Sequence, residues 1–252
     1  AINQDNLDDT ASKLTAWAWI KNRDTTDNHM LFDRVRGVGN DWHSNDAAAE
    51  VFNANTVQRF LQRGVQIGSD VEVNTANESY VLWQWLVGDS ATTGSTTSPA
   101  GSNPSTTIVA DHGGFSIGTY TGTGAGATVG HGLSSTPELI LIKGQNYAVE
   151  CLVWSEYTKS TARAGDGFAF LNSSNAFFDN GPNSYFADTD PNATVITMNG
   201  STFNTSAKTY NLICFKSVPG VCKVGSYIGN LNDNGPYVST GFKPSYVMIK
   251  ST

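Results

Sequence analysis

Large apolar residues in this chain come in short runs that alternate with small or polar ones. Three runs share one form: Ala16-Trp17-Ala18-Trp19-Ile20-Lys21, Glu138-Leu139-Ile140-Leu141-Ile142-Lys143 and Ser245-Tyr246-Val247-Met248-Ile249-Lys250. Alternation with period two puts every second side chain on one face of a strand, so each run is expected to be the same buried β-strand, ended by a lysine. The second and third runs follow a Gly-apolar pair and a proline, Gly132-Leu133 with Pro137 and Gly241-Phe242 with Pro244, which is turn chemistry.

Two further matches extend the pattern. Val73-Asn74-Thr75 through Tyr80 matches Phe203-Asn204-Thr205 through Tyr210 without a gap, and each leads into a strand-like run, 81–85 and 211–215. Phe115-Ser116-Ile117-Gly118-Thr119-Tyr120-Thr121-Gly122 matches Cys222-Lys223-Val224-Gly225-Ser226-Tyr227-Ile228-Gly229. Self-similarity at a spacing of 107 to 130 residues marks a tandem repeat. Its expected organisation is an N-terminal segment 1–13, a first repeat 14–88 lacking its opening strand, a linker 89–114, a complete second repeat 115–218 and the start of a third, 219–252. The whole is expected to be a piece of a longer array.

Within the second repeat, seven or eight short runs rich in Val, Ile, Thr, Tyr and Phe are spaced by Gly, Asn or Pro turns. The fold class is therefore all-β, with tandem β-sandwich or jelly-roll-like repeats joined by a Ser/Thr/Gly-rich linker. One helix is expected, over Ala47–Gln62, where the apolar spacing is helical. The linker is dense in Ser, Thr, Gly and Pro and has no periodicity.

Composition narrows the function. Of 252 residues, 39% are hydrophobic and only 15% charged, while Thr, Ser and Asn supply 74, so the surface is polar through hydroxyls and amides. A formal charge of −7 disfavours a nucleic-acid partner, because phosphate binding needs clustered cations. No apolar run nears the length of a membrane-spanning helix, and the acidic, polar start at Ala1 carries no export signal in this numbering. Three cysteines, Cys151, Cys214 and Cys222, without CxxC spacing, are expected to be reduced, small apolar residues.

Several residues could carry chemistry. His112 and His131 stand beside glycines that could shape an oxyanion-binding turn, but no G-x-S-x-G elbow accompanies them. Ser44 beside His43 and Ser116 near His112 are neighbours only along the chain, and the alternative for His131 is a turn-ending residue bonded to backbone. Asp188-Thr189-Asp190-Pro191-Asn192 begins like a calcium loop, yet Ala193 replaces the glycine and Asn199 the final glutamate, so an Asx-type turn is expected; Asp24–Asn28 is similar. Glu138, Glu150 and Glu156 are the candidate acids for glycoside cleavage, which needs two at a fixed separation. Trp42, Trp154, Tyr157 and Tyr185 lie in or beside polar segments and could form a sugar-stacking platform, whereas Trp17, Trp19, Trp83 and Trp85 share strand faces and are expected in a core or subunit contact. No catalytic residue, metal ligand or cofactor is assigned, and ligand-binding residues stay unassigned.

Taken together, Trp19-Ile20-Lys21-Asn22-Arg23-Asp24 leading to Asp27–Asp33, Tyr120-Thr121-Gly122, Val129-Gly130-His131-Gly132-Leu133, Gly225-Ser226-Tyr227, Asp233–Val238 and Thr240–Lys250 resemble a tandem β-domain family. That family occurs in tail-fibre-like and other virion structural proteins of tailed, especially marine, bacteriophages. Cys151 and Ala164-Gly165-Asp166-Gly167 depart from its more regular Trp-containing strand and loop. The resemblance implies a non-enzymatic virion protein, a tail fibre or similar appendage in host attachment. It also implies assembly in the host cytoplasm, self-association with a trimer favoured, and other virion proteins and host-surface glycan as partners, without nucleic acid or membrane insertion. The alternatives are a capsid-surface decoration or carbohydrate-binding module and, further off, a polysaccharide depolymerase.

Overall fold

The computed structural model describes residues 14–87, 96–98, 100–110, 112–159, 161, 164–177 and 185–251. Its first sheet contains β1 (Leu14–Asn22), β2 (Met30–Asp33), β3 (Asn40–His43), β4 (Val51–Phe52) and β7 (Tyr80–Val87), in the order β4-β3-β2-β1-β7. A hairpin of β5 (Val57–Leu61) and β6 (Gly64–Ile67), with a one-turn helix α1 (Val71–Asn74), covers one face of that sheet. The second sheet has seven strands, built from β8 (Thr96–Ser98), β9 (Ser105–Val109), β10 (Phe115–Thr121), β12 (Leu139–Gly144), β13 (Leu152–Ser155), β14 (Phe168–Phe170) and β16 (Thr209–Phe215). Their order is β14-β13-β12-β16-β10-β9-β8, and every pairing is antiparallel. A small sheet of β11 (Ala127–Gly130) and β15 (Val195–Met198) covers its outer face, beside a 3₁₀ turn at Thr202–Asn204. The fold is all-β and sandwich-like.

The repeat seen in sequence is a repeat of register. Trp17 pairs with Trp85 and Ile20 with Leu82, as Leu139 pairs with Phe215 and Ile142 with Leu212. On the other side Trp19 pairs with Leu31 and Ile20 with Met30, as Leu141 pairs with Val153 and Ile142 with Leu152. The turn before the last strand is copied too. The Tyr80 hydroxyl accepts from Thr75 N and the Tyr210 hydroxyl from Thr205 N, both at 2.9 Å, and Asn77 and Ala207 both take positive φ.

The two large sheets face each other. Trp17, Trp19, Leu31, Trp42 and Val87 from one meet Ile108, Phe115, Ile117, Leu141, Val153 and Ile213 from the other in one core. Outside it, Ile20, Met30 and Phe32 pack on Val57, Val65 and Val73, while Ile140, Trp154 and Leu212 pack on Val129, Ile196 and Phe203. A strand with cores on both sides carries apolar residues almost continuously, as β1 and β12 do. Polar bonds also cross between repeats: Lys143 Nζ donates to Asp46 O (3.0 Å) and Glu50 N to Gln145 O (2.8 Å).

Three expectations need correction. Ala47–Gln62 is not a helix: Asn53 folds the chain back, its side chain accepting from Asn55 N and its carbonyl from Thr56 N, and β5 then buries Val57, Phe60 and Leu61 while Gln58 and Arg59 face solvent. The stretch 89–114 is not a bare linker, because β8 and β9 lie within it; 89–95, 99 and 111 fall outside the described residues. β9 lies between β10 and β8, and buries Ser105 with its hydroxyl donating to Gly130 O. Finally, Ser245–Lys250 forms no strand and exposes Val247 and Ile249, since no β16-type strand lies beside it.

Candidate functional site

β10 covers the flank of β16, but among the described residues β7, the copy of β16, ends its sheet. Equivalent residues show what that costs. Leu212 is 2% exposed and Leu82 is 36% exposed; Tyr210 is fully buried and Tyr80 is half-buried. Along this free edge runs a cavity of about 1150 Å³, bounded by β7, by the ends of β12 and β16, and by Gly220–Gly225 and Thr240–Lys250.

The cavity wall is aromatic because alternate residues of β1 and β7 point the same way. Trp17 lies 4.2 Å from Trp85 between ring centroids, Trp85 lies 6.2 Å from Phe215, and Trp19 meets Trp83 edge-on at 6.2 Å. Tyr246 closes the group, 5.7 Å from Trp19, 5.3 Å from Trp83 and 5.2 Å from Trp85. Burial raises its hydroxyl pKa, so it stays neutral. His29 Nδ1 accepts from Trp19 Nε1 at 2.9 Å, and burial together with nearby Lys21 lowers the imidazole pKa, which favours the neutral ring. The site is thus a groove walled by neutral rings along the outer edge of β7, with Lys223, Lys243 and Lys250 at its lining. It suits an extended peptide or another apolar surface better than an ion.

The residues singled out in the sequence lie elsewhere and are not brought together. His131 is fully buried; Nδ1 accepts from Leu133 N (3.2 Å), which leaves Nε2–H to donate to Asn192 O (3.1 Å), and burial lowers its pKa. Ser116 Oγ donates to the His131 carbonyl (2.6 Å), not to a ring. His112 sits in the β9–β10 turn, where Nδ1 accepts from Gly114 N (3.0 Å). His43 contacts Asp46 (2.8 Å) and Asp41 (3.6 Å), and the neighbouring Ser44 is buried.

The acids are engaged separately. Glu138 pairs with Lys216 (2.9 Å) and accepts from Ser217 N, which outweighs burial and lowers its pKa; Glu150 accepts from Asn172 Nδ2 and Glu156 pairs with Lys159. Asp190 bonds Lys159 Nζ and Gly165 N, while Asn192 accepts from Thr194 N and Val195 N, an Asx turn. Asp24 accepts from Ser79 N, and Asp27 from Asn22 and Thr25. Among the described residues no three His, Cys, Asp or Glu side chains are grouped to hold a metal. No helix among them is long and apolar enough to cross a membrane.

The loop-aromatic platform is overturned. Trp42 and Trp154 are both buried, one in the core between the large sheets and the other in the core outside the second sheet, because each follows the strand alternation rather than its polar neighbours. Tyr185 packs on Phe168 and Phe203, and Tyr157 alone of the four is well exposed. The strand tryptophans do share faces, in the core. The cysteines are free, with Cys151 and Cys214 fully buried and Cys222 half-buried; burial pushes the Cys151 thiol up to about 12, which keeps it unreactive.

Two features escaped the sequence reading. Arg36 is buried between Asp33 (2.5 Å) and Glu50 (2.7 Å), and no spacing rule foretold that triad. Tyr246 could have been found, since aligning 245–250 with 16–21 puts it at the place of Trp17.

A family profile described as a domain of unknown function, DUF7483, matches residues 9–252. The chain belongs to this family. The DUF7483 match takes in both repeats and the C-terminal segment as one unit, in keeping with the core they share. No curated protein and no solved structure gives a significant match to the chain.

Proposed function

We propose that this chain is a non-enzymatic structural module of a bacteriophage virion, a tail fibre or similar appendage that assembles as a homo-oligomer at the host-facing surface. The observation that carries the reading is the tandem repeat: two copies with the same strand register, fused through one aromatic core, followed by the opening words of a third. Such stacking extends a rigid body by repetition. The resemblance of its sequence to phage appendage proteins supports a place in the virion, and the structural engagement of His131 and of each candidate acid favours a scaffold over a depolymerase.

Light scattering after size exclusion, over at least a tenfold dilution, tests the assembly. The expected result is an elongated trimer of the 26.9 kDa chain that survives dilution. A compact monomer at every concentration would overturn the fibre reading and favour a decoration or glycan-binding module.

A further inference from the structure

We infer that Cys222–Ile228 docks as a β-strand on the free edge of β7, closing the first repeat as β10 closes the second. Three observations meet here. First, the segment aligns with β10 without a gap, with Gly225 at the place of Gly118 and Tyr227 at that of Tyr120. Second, β7 matches β16, the strand β10 pairs with, in register and in the turn before it. Third, donor and acceptor are adjacent: Gly220–Gly225 lines the same cavity as Val81–Val87, and Gly225–Ile228 is exposed, with the start of the segment held by Val218 and by Ser217 Oγ on Val224 N.

The register follows from the second repeat. Phe115 pairs with Phe215, Ile117 with Ile213 and Tyr120 with Tyr210. Transferred by the repeat offsets, Cys222 falls opposite Trp85, Val224 opposite Trp83, Ser226 opposite Val81 and Tyr227 opposite Tyr80. Cys222 and Val224 then join the tryptophan face. Tyr227 comes to lie on Tyr80 as Tyr120 stacks on Tyr210 at 4.9 Å, its hydroxyl aimed at the Val73 carbonyl as that of Tyr120 is bonded to Phe203 O. The unpaired backbone of β7 gains a ladder, and Leu82 gains cover.

The occupant is the chain's own segment. Val218 and Cys222 exchange backbone bonds that tie the segment to the end of β16, and the Cys222 thiol reaches Lys216 O at 2.7 Å. The segment therefore starts at the Trp85 end of the edge and needs only to run antiparallel along it. A tethered strand beside its acceptor has an effective concentration that a second copy cannot match at ordinary protein concentrations.

Disulfide trapping in the full chain tests this. In a Cys222→Ser background, Val81→Cys with Ser226→Cys places two thiols at directly opposed positions, within bridging range. Val81→Cys with Tyr227→Cys is slipped by one residue and points them to opposite faces. The expected result is an intramolecular disulfide, mapped by peptide mass, in the first pair and its loss in the second. A disulfide forming only between chains would overturn the proposal in favour of a second copy as occupant. Equal trapping in both pairs, or none, would overturn strand docking. Should the variants fail to fold, hydrogen exchange on the unmodified chain decides: slow exchange along both Val81–Val87 edges supports the docked strand, and fast exchange on the outer one overturns it.

Discussion

Asp41 carries a charge that the fold tolerates poorly. It is buried on β3, and desolvation raises its pKa to about 6, with His43 and Arg36 pulling it down and Glu72 and Asp70 pushing it further up. An unfolded aspartate titrates near 4, so between about pH 4 and 6 the folded chain holds the extra proton and stability falls as pH rises, with the full penalty present above 6. Asp41→Asn is therefore expected to stabilise the protein at pH 7 by about 1–2 kcal/mol after solvent screening, and to leave pH 4 nearly unchanged. Urea midpoints of both proteins at the two pH values check it. A gain at pH 4 as large as at pH 7 would mean that charge is not the cause. Nothing in the sequence around Asn40-Asp41-Trp42 announces this, since the charges that act on it from outside β3, Arg36, Glu72 and Asp70, are brought there by the fold. The repeated lysines are a different case. Lys21 donates to Asn22 O and Thr25 O, Lys143 to Val149 O and Asp46 O, and Lys250 to Asn175 O, so the recurring letter marks a recurring bond to main-chain carbonyls.

At the scale of elements, strands were legible where side-chain alternation and a repeated neighbour agreed, as for β1 with β12 and β7 with β16. They were not legible where hydroxyl residues built the strand, as in β9, or where a turn was made by amide bonds, as at Asn53 before β5. Gly118 shows how an element can depend on an absent side chain. It lies mid-strand in β10, and a Cβ there would stand 2.4 Å from Thr106 O and 2.6 Å from Thr107 Cγ2, both on β9. Backbone at that distance cannot yield without parting the two strands. Gly118→Ala is expected to cost about 1–3 kcal/mol through overpacking, read as a lower urea midpoint. The equivalent Gly225 has no counterpart of β9 beside it among the described residues, so Gly225→Ala is expected to change the midpoint little. Comparable losses at both sites would mean that contact with β9 is not the cause, since backbone entropy alone would favour alanine over glycine in a strand.

For the whole molecule, the question is whether two repeats make two domains or one. The sequence matches show two copies, and from them alone each could have its own core. The structure gives each copy a private core on its outer side, and in addition a shared one in which Trp17 stacks on Phe115 and Trp85 meets Phe215. Only the face assignment was legible in advance, because alternation tells which side chains point together and not what they point at. The first repeat alone would expose Trp17, Trp19, Trp83 and Trp85 on one face, an apolar patch that a stable monomeric domain does not carry. Residues 1–98 expressed alone are therefore expected to aggregate or remain unfolded. The full chain is expected to unfold in one transition in which tryptophan fluorescence and far-ultraviolet circular dichroism coincide, because opening either sheet strips the other of its inner face. Trp17→Ala, which empties the centre of the shared core, should lower that single transition by about 3–5 kcal/mol without splitting it. Two separated transitions in the native chain would mean that the outer cores suffice, and that the interface between repeats is a docking contact between independent folding units.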